Sequence, residues 1–389
     1  MPHNFVDGLL MARTPGKSAI VGVGYSKILR DKGIDGRPLA VEASRAAIAD
    51  AGLAIRDVDA VFEYAGDEQA MDIARLVGIE NMVVYGDYTP RGPSGLAAAM
   101  GAHMAVLSGA CDVALVVRSV TREWGQMSGR ALPKAAGPWQ WEFPYGAAGG
   151  IIPVMGMKKQ RRMATLGTKE EDYGWISLNG RRWSSLNERA VMQDTLSMDD
   201  YLGSRYVSEP LRLLDCDYPV TGACAVVITT AERAADTRKK PVWIDAIAMG
   251  TGWKPDFTYG DDFLFGGTRP CADTMWKRSS VTAAEVDVAE LYDGFTHLAM
   301  AWVEAMGFCG IGEFGDWVDG GKTIGPGGSL PLNTSGGQLA EGRLHGLGFL
   351  AEGVAQLRGE CGQRQVPGAQ VAAVANGFGP QCGALVLTV

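Results

Sequence analysis

Two short segments each gather several kinds of side chain that can move protons. One is Glu290-Leu291-Tyr292-Asp293-Gly294-Phe295-Thr296. The other is Asn333-Thr334-Ser335-Gly336-Gly337-Gln338-Leu339-Ala340-Glu341-Gly342-Arg343-Leu344-His345-Gly346. Together they offer a phenol, carboxylates, a guanidinium and an imidazole set among glycines. A free phenol titrates near a pKa of about 10, so a proton-carrying tyrosine needs a neighbouring donor or cation. Arg343 and His345 are groups of that kind. Histidine is otherwise scarce, with four in the whole chain. His3 lies in a polar leader, and His103 sits on a helix of small residues, where packing is its expected task. His297 follows Tyr292 by five residues at the start of a helix and can turn into the same pocket. Asp293 has a second possible task, capping the helix that follows it. Asn333 reads as a residue that holds its loop. The Gly336-Gly337 pair admits backbone conformations or approaches that a side chain would block.

The bulk properties exclude several function classes. The 389 residues are 47% hydrophobic, enough for a large core and too many for a disordered chain. A net charge of −8 and a pI near 5.2 give no basic surplus, so neither nucleic acid nor an anionic membrane is an expected partner. The seven cysteines are scattered without metal-type spacing, and no metal is expected. No secretory signal or spanning-length apolar run occurs, so a reducing cytoplasm is the expected location.

The elements that must carry the two segments follow from periodicity. Ser18–Tyr25, Val58–Phe62 and Asp112–Val117 read as strands. They alternate with small-residue helices over Leu39–Ala51 and Ser94–Ser108, the pattern of a layered α/β domain. Around 119–206 the alternation stops, and tryptophans and basic residues accumulate as an inserted loop domain with helices. Basic pairs there (Lys158-Lys159, Arg161-Arg162, Arg181-Arg182) read as solvated faces or as a site for phosphates. Strands resume at 218–230, 241–248 and 287–291. Helices are expected at 297–308 and 344–358, and closing strands at 370–375 and 382–388, joined by a turn at 376–380. Each half has a small-residue helix near its centre, which predicts a duplicated architecture: residues 1–240 and 241–389.

Four pieces, in order over nearly the whole chain, resemble the thiolase superfamily, most of all its lipid-transfer-protein (sterol carrier protein x) branch. They are Asp217–Ala225, Glu290–Thr296, Asn333–Gly346 and Asn376-Gly377-Phe378-Gly379. The resemblance implies the thiolase fold: two similar α/β halves in αβαβα layers with a helical loop domain, and homodimerisation. The departures are as informative. Gly92 stands where that superfamily has its nucleophilic cysteine, and glycine cannot form an acyl-enzyme. About Ala375 stands where it has a second cysteine, Tyr292 where it has the histidine of His-Asp-Cys-Phe, and Arg343 where it has the histidine of Gly-His-Pro. Cys382 reads as a strand residue.

This pattern resembles the lipid-transfer-protein-type aldolases that cleave steroid side chains. It implies retro-aldol cleavage of a β-hydroxyacyl-CoA with a tertiary 17-hydroxyl, giving a 17-keto steroid and a short acyl-CoA such as propionyl-CoA. It also implies a DUF35-type partner (OB-fold with zinc ribbon) in a heterotetramer. No cofactor is expected beyond the CoA thioester, which is the substrate. On this reading Tyr292, His345, Arg343, His297 and Asp293 are the candidate catalytic residues, with Tyr292 first for proton transfer. Asn333, Gly336, Gly337, Asn376 and Gly377 are the candidate CoA-site residues. Two other readings stand beside it: an acyl-CoA thiolase using an unrecognised cysteine, and a non-catalytic lipid-binding or acyl-CoA-binding scaffold.

Overall fold

A computed structural model describes residues 18–64, 69–88, 94–122, 151–251, 262–379 and 381–389. Gly92 and His3 lie outside the described residues, as does part of the loop domain.

Eleven strands are described: β1 (Ser18–Tyr25), β2 (Ala60–Tyr64), β3 (Val84–Tyr88), β4 (Val113–Val120), β5 (Tyr206–Ser208), β6 (Leu211–Arg212), β7 (Gly222–Thr230), β8 (Val242–Thr251), β9 (Val288–Leu291), β10 (Val371–Phe378) and β11 (Gln381–Thr388). Nine of them form one sheet in the order β3-β2-β4-β7-β1-β8-β11-β10-β9. The two halves have the same wiring. In the first, β2 runs parallel to β4, β4 is antiparallel to β7, and β7 to β1. In the second, β9 runs parallel to β10, β10 is antiparallel to β11, and β11 to β8. The edge strand β3 has its counterpart in a single parallel bridge, Ala289 to Leu332, immediately before Asn333. The halves meet where β1 and β8 pair at Ala19–Trp243 and Ile20–Val242.

Alternation along the strands builds the layers. Ala19, Val21, Val113, Leu115, Val117, Ala223, Ala225 and Val227 face an outer core shared with the helix Gly36–Ala51. Their neighbours Ile20, Ala114, Val116, Cys224, Val226 and Ile228 face the main core. The helices Ser94–Ser108 and Leu347–Arg358 touch strands of both halves and each other. They are poor in charge around their circumference, as helices enclosed by protein must be. They form the central layer of the fold.

The loop domain is fastened through buried ions. Lys159 Nζ lies 2.8 Å from Asp215, which also accepts from Tyr201 and from Thr296, the first residue of the helix Thr296–Ala305. Arg162 pairs with Glu304 of the same helix. Lys158, Lys159, Arg162 and Arg181 are therefore buried, and only Arg161 and Arg182 face solvent. The sequence reading of these pairs as solvated or phosphate-facing fails for the four buried cations, because each turns inward to a carboxylate, a carbonyl or a ring.

Candidate active site

Three segments converge beyond the ends of β9 and β7. Asn333 binds them from one side. Its Oδ1 accepts from Leu291 N–H at 2.7 Å and its Nδ2 donates to Leu291 C=O at 2.8 Å. The side chain completes a strand-like pair with the end of β9 and clasps the two loops together. Asp293 joins the same two loops from the other direction. It accepts the Gln338 N–H at 2.8 Å. It thus caps the short helix Gly337–Ala340, not the helix Thr296–Ala305 that follows it in sequence. Gly337 makes this possible: its φ is +63°, and a β-carbon there would lie 1.9 Å from Asp293 Oδ2. At Gly336 the same carbon would strike Ser184 of the loop domain. The glycine pair makes room for the protein's own atoms.

The third segment, Asp217-Tyr218, is laced to both loops. Asp217 N–H donates to Gly294 C=O, Tyr218 N–H to Gln338 C=O, and Arg343 N–H to Tyr218 C=O, all at 3.0–3.1 Å. Arg343 then reaches Asp217 at 3.2 Å. Burial outweighs that attraction and raises the Asp217 carboxyl to about 6.

Tyr292 is buried, 7% exposed, with its ring stacked parallel on Phe378 at 5.8 Å. Burial and the nearby Asp217 push its phenol well above the ordinary value, and Arg343 opposes them. Tyr292 therefore rests as the neutral phenol. The expected tuning by Arg343 is offset because Arg343 is paired with Asp217.

A second group is linked to Tyr292 through Arg343 and Tyr64. Arg118 of β4 is fully buried, with its guanidinium carbon 4.2 Å from the Tyr64 ring centre. One of its nitrogens donates to Tyr64 C=O at 3.1 Å, and another lies 3.3 Å from His345 Nδ1. His345 packs edge-on against Tyr64 at 5.6 Å. Burial and two flanking cations, Arg118 and Arg343, hold its pKa well below the ordinary histidine range.

His297 is placed elsewhere. It is 3% exposed, tilted against Phe295, and its charged neighbours are Lys158, Arg162 and Lys159. It shares none of the charged neighbours of Tyr292, so the expectation that both enter one pocket is corrected. Asn376 and Gly377 belong to β10 itself, pairing with Gly383 and Cys382; of the expected turn residues, Gly379 is the one described as turn. Gly377 C=O accepts from Trp302 Nε1 at 2.9 Å, and Asn376 packs against Gly346.

Asp217, Tyr64 and Arg118 were missed as site residues in the sequence. In the sequence Asp217 marks only the fold. Arg118 had a signal: it is a charge at the end of the apolar run Val113–Val117, and a buried strand tolerates such a charge only with a dedicated partner.

The duplicated halves, central helices and inserted loop domain define a thiolase fold. Residues 251–387 match a family model described as thiolase C-terminal domain-like. Human mitochondrial 3-ketoacyl-CoA thiolase superposes with a TM-score of 0.70, covering 96% of this chain and 98% of its own, at 14% identity, a likeness of fold alone. The chain is 33% identical to a 17-hydroxy-3-oxo-4-pregnene-20-carboxyl-CoA lyase of Mycobacterium tuberculosis over 96% of this chain and 99% of the relative. It is 31% identical to a steroid side-chain-cleaving aldolase of Thermomonospora curvata over 90% and 92%. A solved Ltp2-ChsH2(DUF35) aldolase superposes with a TM-score of 0.87 at 30% identity, over 96% and 98% of the chains. The chain belongs to the steroid side-chain-cleaving aldolases of the thiolase superfamily, and is a carbon–carbon lyase.

Proposed function

We propose that this enzyme cleaves a steroid or bile-acid β-hydroxyacyl-CoA by a retro-aldol step, releasing a 17-keto steroid and a short acyl-CoA such as propionyl-CoA. The observation that carries the chemistry is the state of the thiols. All seven cysteines have pKa values raised, in each case chiefly by burial. A thiolase nucleophile needs the opposite, a thiol poised as thiolate. Beside them stand a neutral phenol, Tyr292, and a carboxyl near pKa 6, Asp217, two groups whose environments hold them in different protonation states.

Asp217 takes the proton of the tertiary hydroxyl. The oxygen's electron pair becomes the new C=O as the adjacent carbon–carbon bond breaks. That bond's electron pair passes into the thioester as an enolate, and the Tyr292 phenol protonates the enolate carbon. The proton on Asp217 returns to the Tyr292 phenolate, which resets the site. The electron sink is the substrate's own thioester, so the scheme draws on no cofactor. Arg343 supplies positive potential, and His345 hydrogen bonding, where the enolate charge develops.

The solved aldolase relative is a complex with a DUF35 chain. We extend that partner to this chain, together with pairing of two copies into a heterotetramer. The edge strand β3 supports the pairing: among the described residues it has a ladder partner on one side, β2, and carries Tyr85 at 56% exposure beside Val83 at 66%. The test is direct. A synthetic 17-hydroxy steroid acyl-CoA is incubated with the chain, with and without a DUF35 partner, and ketone and acyl-CoA are measured. Equimolar release supports the proposal. Absence of both products in the intact complex, or thiolysis of a β-ketoacyl-CoA instead, defeats it.

A further inference from the structure

His345 is joined to Arg118 through one ring nitrogen. Arg118 Nη2 lies 3.3 Å from His345 Nδ1. A guanidinium has only donors and keeps its proton at any pH a protein survives. Nδ1 must therefore be the acceptor, and an accepting imidazole nitrogen bears no proton. The ring is then neutral, with its proton on Nε2. The contact is not left to chance. Arg118 is fully buried on β4, fixed by its bond to Tyr64 C=O at 3.1 Å and by the Tyr64 ring 4.2 Å from its guanidinium carbon. His345 is held in turn by a backbone φ of +50°, which side-chain-bearing residues seldom adopt. Its carbonyl is pressed so close to the first turn of the helix Ser94–Ser108 that a β-carbon at Gly95 would lie 2.2 Å from it. A strained backbone and a buried arginine both serve to present one imidazole in one orientation.

We infer that Arg118 is a positioning residue that locks His345 as the Nε2-protonated imidazole, so that His345 acts in the reaction as a hydrogen-bond donor to developing negative charge and never as the base. This deepens the proposed retro-aldol reading and rests on it for the identity of the charge. The groups facing His345 agree with the assignment. Arg118 comes from β4, Tyr64 from β2 and Arg343 from its own loop, while Asn376 of β10 lies against the adjacent Gly346. Among these described residues none is a carboxylate that would draw a second proton onto the ring. The division of labour follows: Asp217 and Tyr292 exchange protons, and His345 holds charge without exchanging any.

The first measurement is made without turnover. Protein labelled with nitrogen-15 histidine gives a pair of ring-nitrogen signals for each of the four histidines, and His345→Gln identifies the pair of interest. The expected pattern is the Nε2-protonated neutral tautomer, unchanged from about pH 5.5 to 8. A proton on Nδ1, or an imidazolium within that range, overturns the inference. In Arg118→Met the signal should become a tautomer mixture, with burial and Arg343 still holding the ring below the ordinary histidine range. An unchanged signal in a folded variant overturns the role of Arg118.

The second measurement is kinetic. A glutamine amide can place an N–H near the position of Nε2–H, so His345→Gln should stay within about tenfold of wild type in kcat, while His345→Ala falls by about 10²–10³. Equal losses in the two would make His345 a proton carrier and defeat the proposal. Both variants meet the same backbone strain, so folding does not bias the comparison. If Arg118→Met does not fold, the wild-type tautomer and the glutamine–alanine comparison decide the matter. A wild-type complex that cleaves nothing would remove the retro-aldol reading while leaving the tautomer measurement intact.

Discussion

The phenol oxygen of Tyr292 lies where a side chain on residue 294 would begin: a β-carbon built on Gly294 would be 2.2 Å from it. The two positions are therefore coupled. A tyrosine at 292 can lie back across the loop only if 294 is glycine. Gly294→Ala should push the ring off Phe378 and cut kcat by about 10²-fold, because misplacement of a reacting group by an ångström has that cost. Tyr292→Phe should lose about 10²–10⁴, the usual contribution of a positioned acid or base, with an unchanged melting temperature. Wild-type turnover in either variant removes Tyr292 from the mechanism.

Asp217 should govern the acid side of the pH–rate profile. Its carboxyl is raised to about 6 by burial, with Arg343 pulling the other way. The base must be ionised, so kcat/KM should fall as pH drops through about 6. Removing the attraction in Arg343→Met raises the Asp217 pKa further and should move this limb to higher pH. Asp217→Asn should abolish the limb together with most of the rate. An acid limb that stays in place in Arg343→Met assigns it to another group.

The same residues show what the sequence could disclose. The helices over 94–108 and around 347–358 were legible because their small residues repeat without interruption. The halves were legible as similar, but their shared wiring was not, since it rests on pairings between residues as distant as Ala289 and Leu332. The strand β3 was missed because an edge strand alternates weakly and this one contains Gly86 and Asp87. Tyr292, Arg343 and His345 were found by their place in two motifs. Their partners were not, because Asp217 and Arg118 come from segments 75 or more residues away and only folding brings them together. His297 misled for a related reason: nearness in sequence to Tyr292 says nothing about which face of the following helix it occupies.

The thiols make the simplest chemical test. Each of the seven is held high by burial, Cys111, Cys271 and Cys309 to about 12 and the others in the same direction. Iodoacetamide reacts with thiolates. Native enzyme treated at pH 7.5 should keep its cleavage activity, with little alkylation seen by mass spectrometry. Rapid inactivation traced to one cysteine would favour the thiolase reading over the aldolase reading.

A buried pair of carboxyls behind the site sets a stability prediction. Thr334 Oγ1 lies 2.9 Å from both Glu290 Oε1 and Glu352 Oε1, and accepts from Gln356 Nε2 at 2.8 Å. One hydroxyl proton cannot serve two carboxylates, so one of the glutamates is protonated. It is Glu290, whose pKa is raised well above 4.5 by burial and by Glu352, whereas Arg364 at 2.9 Å and Arg189 hold Glu352 ionised. For a carboxyl raised in the folded state, the stabilising contribution is complete below the unfolded pKa of about 4.5 and is lost as pH rises through the folded value. Glu290→Gln should therefore match wild type near pH 5 and be the more stable protein at pH 8 to 9. Glu352→Gln leaves the buried Arg364 and the half-buried Arg189 short of a partner and should cost about 3–5 kcal/mol wherever Glu352 is ionised in wild type. Thermal denaturation across that range checks both. A Glu290→Gln protein that loses stability in parallel with wild type as pH rises would place the shared proton on Glu352 instead.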